Sequence, residues 1–550
     1  MALDRARFDA PARPVTIEGE LAALEDARAA AAVKLARLQT MPLSMGADEL
    51  SNEYITAVVQ GGIEQLQRDL VVFGRLDDSE TWRIGLYGVD RGGEQLVVDW
   101  RARLAEAFYQ ATASEPLGFD RRVTYLGAID ELFIEELTTG EITGHSPLLT
   151  ELARARGEQM RAAVATLQAE QDRLVRLEPT ARLVLRGGPG TGKTVVALHR
   201  AAWLAYNDRR PTAGRILALG PSERYLRFVA TVLPTLGEVR IRQTTLDRLL
   251  GPSGAAANDP RWLAVLDELE RSVVQPQAVR VGRLRLDADE VAEMAARFVA
   301  LQLPWRDRRR TFVQSLAARA EVGNAEVAAA VKAVWKPLTT RAAWTKLRNR
   351  RSLVALGAPA DLIDDWLRTE EHGVLADEVR SRCEGVATRY GHVIVDEGQD
   401  LSELGLRAVL RRGEGFTFVG DDAQRSAPHG IGLRAVAAEV GATSAELATA
   451  YRMSAEIAEW LNAHAHRHAI DAVELIGVRP TGRPVLEGAT VAEREAALRD
   501  RWSTVAVLGA GDVWSHKGVE YDAVVVDRRA MTPAEVYLAA SRAAHELAVV

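Results

Sequence analysis

The sequence predicts an α/β protein in which parallel sheets are flanked by helices, with a helical hairpin ahead of them and a helical insertion inside the first. Three observations support this. Short apolar runs, "RLVLRG", "RILALG", "HVIVDE", "FTFVGD" and "AVVVD", each end in a polar or Gly-containing turn, and most lead into helix-like segments. Between "RQTTLDRLL" and "HVIVDE" lie about 140 residues of helical, Arg-rich sequence without such runs. The first seventy or so residues carry two helical stripes separated by the breaker "TMPLSMG".

At 550 residues the chain exceeds one hydrophobic core, and 47% apolar with 26% charged residues matches an ordinary globular protein. The net charge of -7 excludes bulk attraction as the basis of nucleic-acid or membrane binding, so any basic site is local. The one cysteine, Cys383, forms no internal disulfide and suits a reducing compartment. The charged start "MALDRARFDAPARP" and the lack of an 18-residue apolar run lead us to expect a cytoplasmic protein with no membrane partner.

Taken in order, "IEGELAALEDARAAAAVKLARLQ" places Ile17, Leu21, Leu24, Ala31, Leu35 and Leu38 on a heptad-like seam, with Arg28 at the flawed position. A second pattern from Ala47 to about Val72 carries Ile55, Val59, Ile63, Leu66 and Leu70, so residues 1–75 read as an antiparallel coiled-coil arm. It either projects as an arm or packs as a strut. Residues 76–150 read as a small mixed α/β region, from short β-like runs such as "WRIGLYGV" and "RRVTYLGAIDELFIEEL". The first sheet-forming lobe is expected over 151–250 and 391–445, the insertion over 251–390, and a compact second lobe over 446–550.

Gly187, Gly188, Pro189, Gly190, Thr191, Gly192, Lys193 and Thr194 fit G-x-x-x-x-G-K-[ST] between a strand and a helix, the context in which backbone N–H groups cradle phosphates. Lys193 would reach the β/γ-phosphates and Thr194 would ligate Mg²⁺, which makes ATP and Mg²⁺ the expected cofactors. In "HVIVDEGQD", Asp396 would hold the Mg²⁺ shell and Glu397 would orient the attacking water. Asp421 and Gln424 in "FVGDDAQRS" are placed to sense the γ-phosphate or its water. Arg452 and Arg542 stand at element ends from which a guanidinium reaches a transferring phosphoryl group.

The series "LQAEQDRLV", "GGPGTGKT", "IVDEGQD", "VGDDAQ", "AYRMSAEI", "HKGVEYDAVVV" and "YLAASRA" resembles, in order, the motifs of superfamily 1 helicase-like ATPases of the UvrD/Rep type. The resemblance implies two RecA-like P-loop lobes with ATP between them, Gln171 on adenine, and Arg452 and Arg542 as arginine fingers. It also implies that Lys517, Gly518 and Glu520 couple ATP to the track or partner. Across nearly the whole chain, "FGRLD", "LVVDWRARLAEAFYQAT", "RRVTYLG" and "GPSERYLRFVATVLPTLGE" are similar to the HelD family, the RNA-polymerase-associated relatives of these helicases. That family implies a coiled coil entering the polymerase secondary channel and an insertion wedging the clamp or main channel open. It also implies that ATP turnover would drive or reset the removal of polymerase from nucleic acid and its recycling.

This sequence departs from the family pattern at Gly398, where Ala is usual, at Ala540–Ser541, where Leu-Thr is common, and at His516 before Lys517. Only about 65 residues separate Arg452 from Lys517, which leaves little room for the usual second-lobe subdomain. In the insertion, Trp305 with Arg306, Arg308, Arg309 and Arg310, and Trp344 with Arg341, Lys346, Arg348, Arg350 and Arg351, read either as a DNA- or RNA- or polymerase-contacting patch or as a solvated helix face. The leading expectation is an ATP-hydrolysing polymerase-release factor. The alternatives are a DNA helicase or translocase in repair, and a polymerase-binding module that keeps ATP as a structural ligand.

Overall fold

The computed structural model describes residues 14–41, 59–60, 62–63, 66–67, 69–127, 129–145, 167–208, 210, 215–223, 225–227, 241–386 and 388–550. They fall into two compact units. One lies within Met1–Pro179, Thr194–Gly214 and Arg227–Ile241, the other within Thr180–Lys193, Arg215–Leu226 and Arg242–Val550. Most of the expected second helical pattern, Ala47 to about Val72, lies outside the described residues.

The first unit contains a seven-stranded sheet of order β3-β4-β2-β1-β5-β6-β7, with β1 Val72–Asp77, β2 Thr81–Gly85, β3 Val89–Arg91, β4 Glu94–Asp99, β5 Arg121–Leu126, β6 Glu131–Glu136 and β7 Ile142–Thr143. Its pairs are antiparallel except β2 with β4. The sheet is wider than the "small" region expected, because β1 and the short β3 and β7 carry little apolar alternation of their own. Helix α1 (Ile17–Gln39) starts at Thr16, whose hydroxyl accepts the Gly19 N–H at 3.1 Å.

The buried stripe of α1 is Glu20, Leu24, Ala27 and Ala31, while Leu21 is 40% exposed. The heptad seam is therefore displaced by one residue at its start, and a carboxylate fills the place expected for Leu21. Glu20 accepts from Arg75 at 2.6 Å, Arg83 at 2.8 Å and the Tyr125 hydroxyl at 2.5 Å. Arg75 and Arg83 face each other in register on β1 and β2, so one carboxylate of the helix bridges a basic pair on the sheet, whose Arg75 also pairs with Asp77 at 2.6 Å. Burial would raise the Glu20 carboxyl, but its hydrogen bonds to Arg83 and Tyr125 and the Arg83 charge hold it below the usual carboxylate range. Over its described length α1 packs on the sheet, with Lys34 paired to Asp90 and Arg91 to Asp26 at its flank.

The second unit holds two parallel sheets. The six-stranded sheet runs β10-β9-β13-β14-β8-β15, from β8 Arg182–Gly187, β9 Ile216–Gly220, β10 Arg242–Thr245, β13 Tyr390–Val395, β14 Gly413–Gly420 and β15 Thr443–Leu447. Every pair in it is parallel. The strands β9 and β13 are buried along their whole length, as strands covered on both faces must be. The other sheet, β18-β21-β20-β19, contains β18 Leu486–Glu487, β19 Val505–Leu508, β20 Tyr521–Val526 and β21 Ala543–Val549. A two-stranded parallel pair, β16 Thr449–Ser454 with β17 Ile476–Arg479, lies beside it.

Between β10 and β13 the chain is helical apart from one antiparallel hairpin, β11 Val279–Val281 with β12 Leu284–Leu286. Its core contains Trp262, Trp305, Trp335, Trp366 and Phe312, all at 1% exposure or less, together with the buried Cys383. Its last helix, Gly373–Glu384, carries Asp377 and Glu378 into a set of arginines. Glu378 pairs with Arg411 at 2.5 Å and Arg382 at 2.8 Å, and Asp377 with Arg412 at 2.5 Å. These pairs tie the insertion to the helix Glu403–Leu410 of the six-stranded sheet and to Arg411 and Arg412 after it.

Candidate nucleotide site

The candidate site gathers at the C-terminal edge of the six-stranded sheet, where parallel strands present ligand-binding loops. From β8 the chain turns through Gly187–Gly192, with Gly190 and Gly192 at positive φ, into helix α2 (Lys193–Asn207). Gly188 lies under Leu475, so a Cβ there would stand 2.4 Å from Leu475 Cδ2. The Lys193 ammonium donates to Gly188 O at 2.7 Å, and the Thr191 hydroxyl to the same oxygen at 2.9 Å. Burial lowers the Lys193 ammonium below the ordinary lysine range, while Asp421, Glu397 and Asp396 pull it back up. Pro189 occupies the turn before Gly190, whose carbonyl accepts the Tyr451 N–H at 3.1 Å.

Asp396 follows β13 and donates its N–H to Leu219 O of β9 at 2.9 Å, while its Oδ1 accepts the Glu397 N–H at 2.8 Å. Glu397 has φ 56, a left-handed backbone at a non-glycine residue that turns its carboxylate sharply off the strand. Glu397 Oε2 accepts from Gln399 at 2.6 Å and pairs with Lys517 at 3.0 Å. Lys517 also meets Asp400 Oδ2 at 2.6 Å and Gln424 O at 2.9 Å. Burial would raise the Glu397 carboxyl, yet Lys517 and Lys193 hold it below the usual range and so ionised. Against the effect of burial, Glu397 and Asp400 hold the Lys517 ammonium above the ordinary lysine range.

Asp421 and Gln424 follow β14. Gln424 Nε2 donates to Asp421 Oδ2 at 2.7 Å, and its Oε1 accepts from Arg542 at 2.7 Å. Arg542 stands between the helix Pro533–Ala540 and β21 and is 5% exposed, so a continuous run Arg542–Gln424–Asp421 joins the two parallel sheets. Burial raises the Asp421 carboxyl, with Lys193 opposing. Gly420 beside it lets Gln399 close in, since a Cβ there would sit 1.9 Å from Gln399 Oε1, the oxygen that accepts the Asp421 N–H at 3.2 Å. Arg452, on β16, lies against the loop, with its Cβ 3.3 Å from where a Gly190 Cβ would be, and its guanidinium pairs with Glu520. Gly518, at φ 79, makes the turn between Lys517 and Glu520.

Lys193, Glu397, Asp396, Asp421, Gln424, Arg542 and Lys517 are thus brought together, and Arg452 with Glu520 stands at the rim. Thr194 follows Lys193 as the second residue of α2. Gln171 is buried in the helix Ala169–Val175, where its Oε1 accepts the Gln168 N–H at 3.2 Å in a capping box. Sequence reasoning assigned no part to Gln399 or Asp400, although both stand in the quoted "DEGQD". It also missed Tyr225, whose hydroxyl hydrogen-bonds the Asp396 carboxylate. The donor set suits the expected group: a hydroxyl and a carboxylate are the hard oxygen ligands that Mg²⁺ takes when phosphates and water complete its shell. The glycines, lysine and arginine similarly suit a polyphosphate.

The expected basic patch of the insertion divides. Trp305 is core, Trp344 packs on Trp366 and His372, Arg309 donates to Trp335 O at 2.9 Å, and Arg348 to Trp366 O at 3.0 Å. Trp305 is therefore a packing residue with no face open to bases, and Trp344 is half-buried against its two ring neighbours. Arg306, Arg310, Arg341, Arg350 and Arg351 remain exposed.

Comparison with known proteins gives two family matches. Residues 16–130 match the family described as DNA helicase IV HelD, N-terminal domain, and residues 171–428 match an AAA domain. No curated protein matches the sequence. Solved structures similar to the chain include an arterivirus nonstructural protein 10 helicase and a complex of that helicase with DNA. Both show 12% identity and a TM-score of 0.30, covering 70% of this chain and 62% and 63% of theirs. The helicase of PRRSV is similar at 12% identity and TM-score 0.29, covering 78% of this chain and 62% of its own. The chain thus spans less than two thirds of those helicases, and likeness of this degree carries no argument about activity.

Proposed function

We propose, from the premise that this chain is a HelD-like member of the superfamily 1 helicase family with a P-loop nucleotide-binding core, that it hydrolyses ATP with Mg²⁺ and uses turnover to remodel RNA polymerase and release it from nucleic acid. One observation carries the reading. A HelD-type N-terminal domain precedes a core whose two parallel sheets are joined through Arg542, Gln424 and Asp421 beside Lys193 and Glu397. The domain added ahead of that core is what supports a protein partner in this reading.

In this reading Lys193 leaves Gly188 O for the β- and γ-phosphates, and the loop N–H groups hold the phosphate oxygens. Glu397, ionised and turned off its strand, accepts a hydrogen bond from the attacking water and orients it. Thr194 and Asp396 would hold Mg²⁺, which when bound would supply charge neutralisation on the phosphates. Arg542, and Arg452 once released from Glu520, place positive charge where it develops on the transferred group. Gln424 relays the position of Arg542 to Asp421. Lys517 bridges Glu397, Asp400 and Gln424, which supports its role in coupling the site to the partner.

The test combines affinity purification of polymerase on the chain with an ATP-dependent release assay from a stalled template. Glu397→Gln is expected to retain ATP and polymerase binding while turnover and release fall by about 10²–10⁴. Unwinding of a tailed duplex at the ATPase rate, without polymerase association, would favour the DNA translocase. Release unchanged by Glu397→Gln would make ATP a structural ligand.

A further inference from the structure

Beyond the residues that meet nucleotide, the second unit contains a tyrosine aimed at the metal-binding carboxylate. We propose that Tyr225 is a positioning residue whose hydroxyl sets the orientation in which Asp396 meets the divalent cation; this rests on the nucleotide-binding reading above. Three observations support it.

Tyr225 lies in the short helical stretch after β9, and its phenol hydrogen-bonds the Asp396 carboxylate. Its ring lies against Gly220, the last residue of β9: a Cβ there would stand 2.1 Å from Tyr225 Cδ1 and 2.5 Å from Cε1. Only glycine at that strand end leaves room for the ring. β9 and β13 are parallel neighbours with Leu219 opposite Val395, so Gly220 brings the ring to the strand end from which Asp396 emerges.

The carboxylate is consequently held by the phenol and by the Glu397 N–H on Oδ1 at 2.8 Å. Both are neutral donors. They fix the rotation of the carboxylate without cancelling its charge, whereas a lysine or arginine in the same place would compete with the cation. Phenylalanine would fill the same space over Gly220, so packing alone does not account for the hydroxyl.

The experiment is Mn²⁺ binding by electron paramagnetic resonance to the full chain loaded with ADP, beside ADP affinity measured in EDTA. Tyr225→Phe is expected to weaken Mn²⁺ by about 10-fold, the usual scale for losing a group that orients a metal ligand. ADP affinity in EDTA and the thermal midpoint are expected to stay at wild-type values, which separates positioning from a structural role. Gly220→Ala keeps the hydroxyl but displaces the ring, and is expected to weaken Mn²⁺ in the same direction. Wild-type Mn²⁺ affinity in Tyr225→Phe overturns the proposal and leaves the nucleotide reading intact. Failure of the wild-type chain to bind ADP overturns the nucleotide reading, and the proposal with it.

Discussion

At the scale of single residues, Gln424 bears the greatest burden, because its amide hydrogen-bonds both Arg542 and Asp421. Removing it leaves a buried guanidinium and a buried carboxylate with only their charge attraction and no hydrogen-bonded link between them. Gln424→Ala is expected to lower ATP turnover by about 10²–10³ while ADP binding changes little, since the contact serves charge that develops in the reaction. Parallel measurement of turnover and of ADP titration checks this.

His199 gives a different prediction, about pH. It is fully buried on α2, shares a 2.7 Å hydrogen bond from Nδ1 to Val195 O and lies edge-on to Trp100. Burial pushes its pKa down from 6.5 to about 4. The unfolded chain binds this proton more readily, so the stability in question is present above pH ~6.5 and is lost as pH falls towards ~4, by up to about 3 kcal/mol. Thermal midpoints of wild type and His199→Gln between pH 7 and 4 test it: the variant should lose less on acidification. At this scale the sequence was most legible where chemistry is contiguous, as in Gly187–Thr194 and Asp396–Glu397. Tyr225 stands 171 residues from Asp396 in a short helical stretch that matches no nucleotide-binding pattern, and the β9–β13 pairing brings them together.

Among the elements, α1 shows how a periodic pattern and its burial part company. Ile17, Leu21 and Leu24 follow heptad steps, but the sheet beneath carries Arg75 and Arg83, and it is Glu20 that turns inward. Side-chain spacing announces a helix; it does not announce what the partner surface demands. Glu20→Ala would take the carboxylate from Arg83 and leave Arg75 to Asp77 alone under the helix, at a cost of about 3–5 kcal/mol. Hydrogen exchange should then show residues 17–39 deprotected before the seven-stranded sheet. The insertion teaches the same lesson from the other side. Its Trp305 and Trp344 beside arginines read either as a DNA-, RNA- or polymerase-contacting patch or as a solvated helix face, and the structure instead packs Trp305, at 1% exposure, into the core against Trp335, while Arg306 and Arg310 stay exposed.

For the molecule as a whole, the parallel strands were legible because runs buried on both faces are continuously apolar, whereas β10 "RQTT" and β15 "TSAEL" at the sheet edges carry too little apolar character to announce themselves. The net charge of -7 and the buried insertion aromatics also bear on partners. The chain alone is expected to hold single-stranded DNA no better than the non-specific range of about 10⁻⁴–10⁻⁶ M at physiological salt, with any tighter nucleic-acid contact supplied through polymerase. Fluorescence anisotropy with and without polymerase checks this.

Cys383 is 2% exposed within the insertion core, and burial pushes its thiol up to about 11, so it is almost entirely protonated near neutrality and sterically shielded from electrophiles. With no other cysteine in the chain, a thiol introduced at any exposed position becomes the sole reactive handle, without the usual prior stripping of native cysteines. A maleimide dye at position 33 on α1, where Val33 is 72% exposed, would therefore report by energy transfer on any dye-bearing partner that approaches the helix.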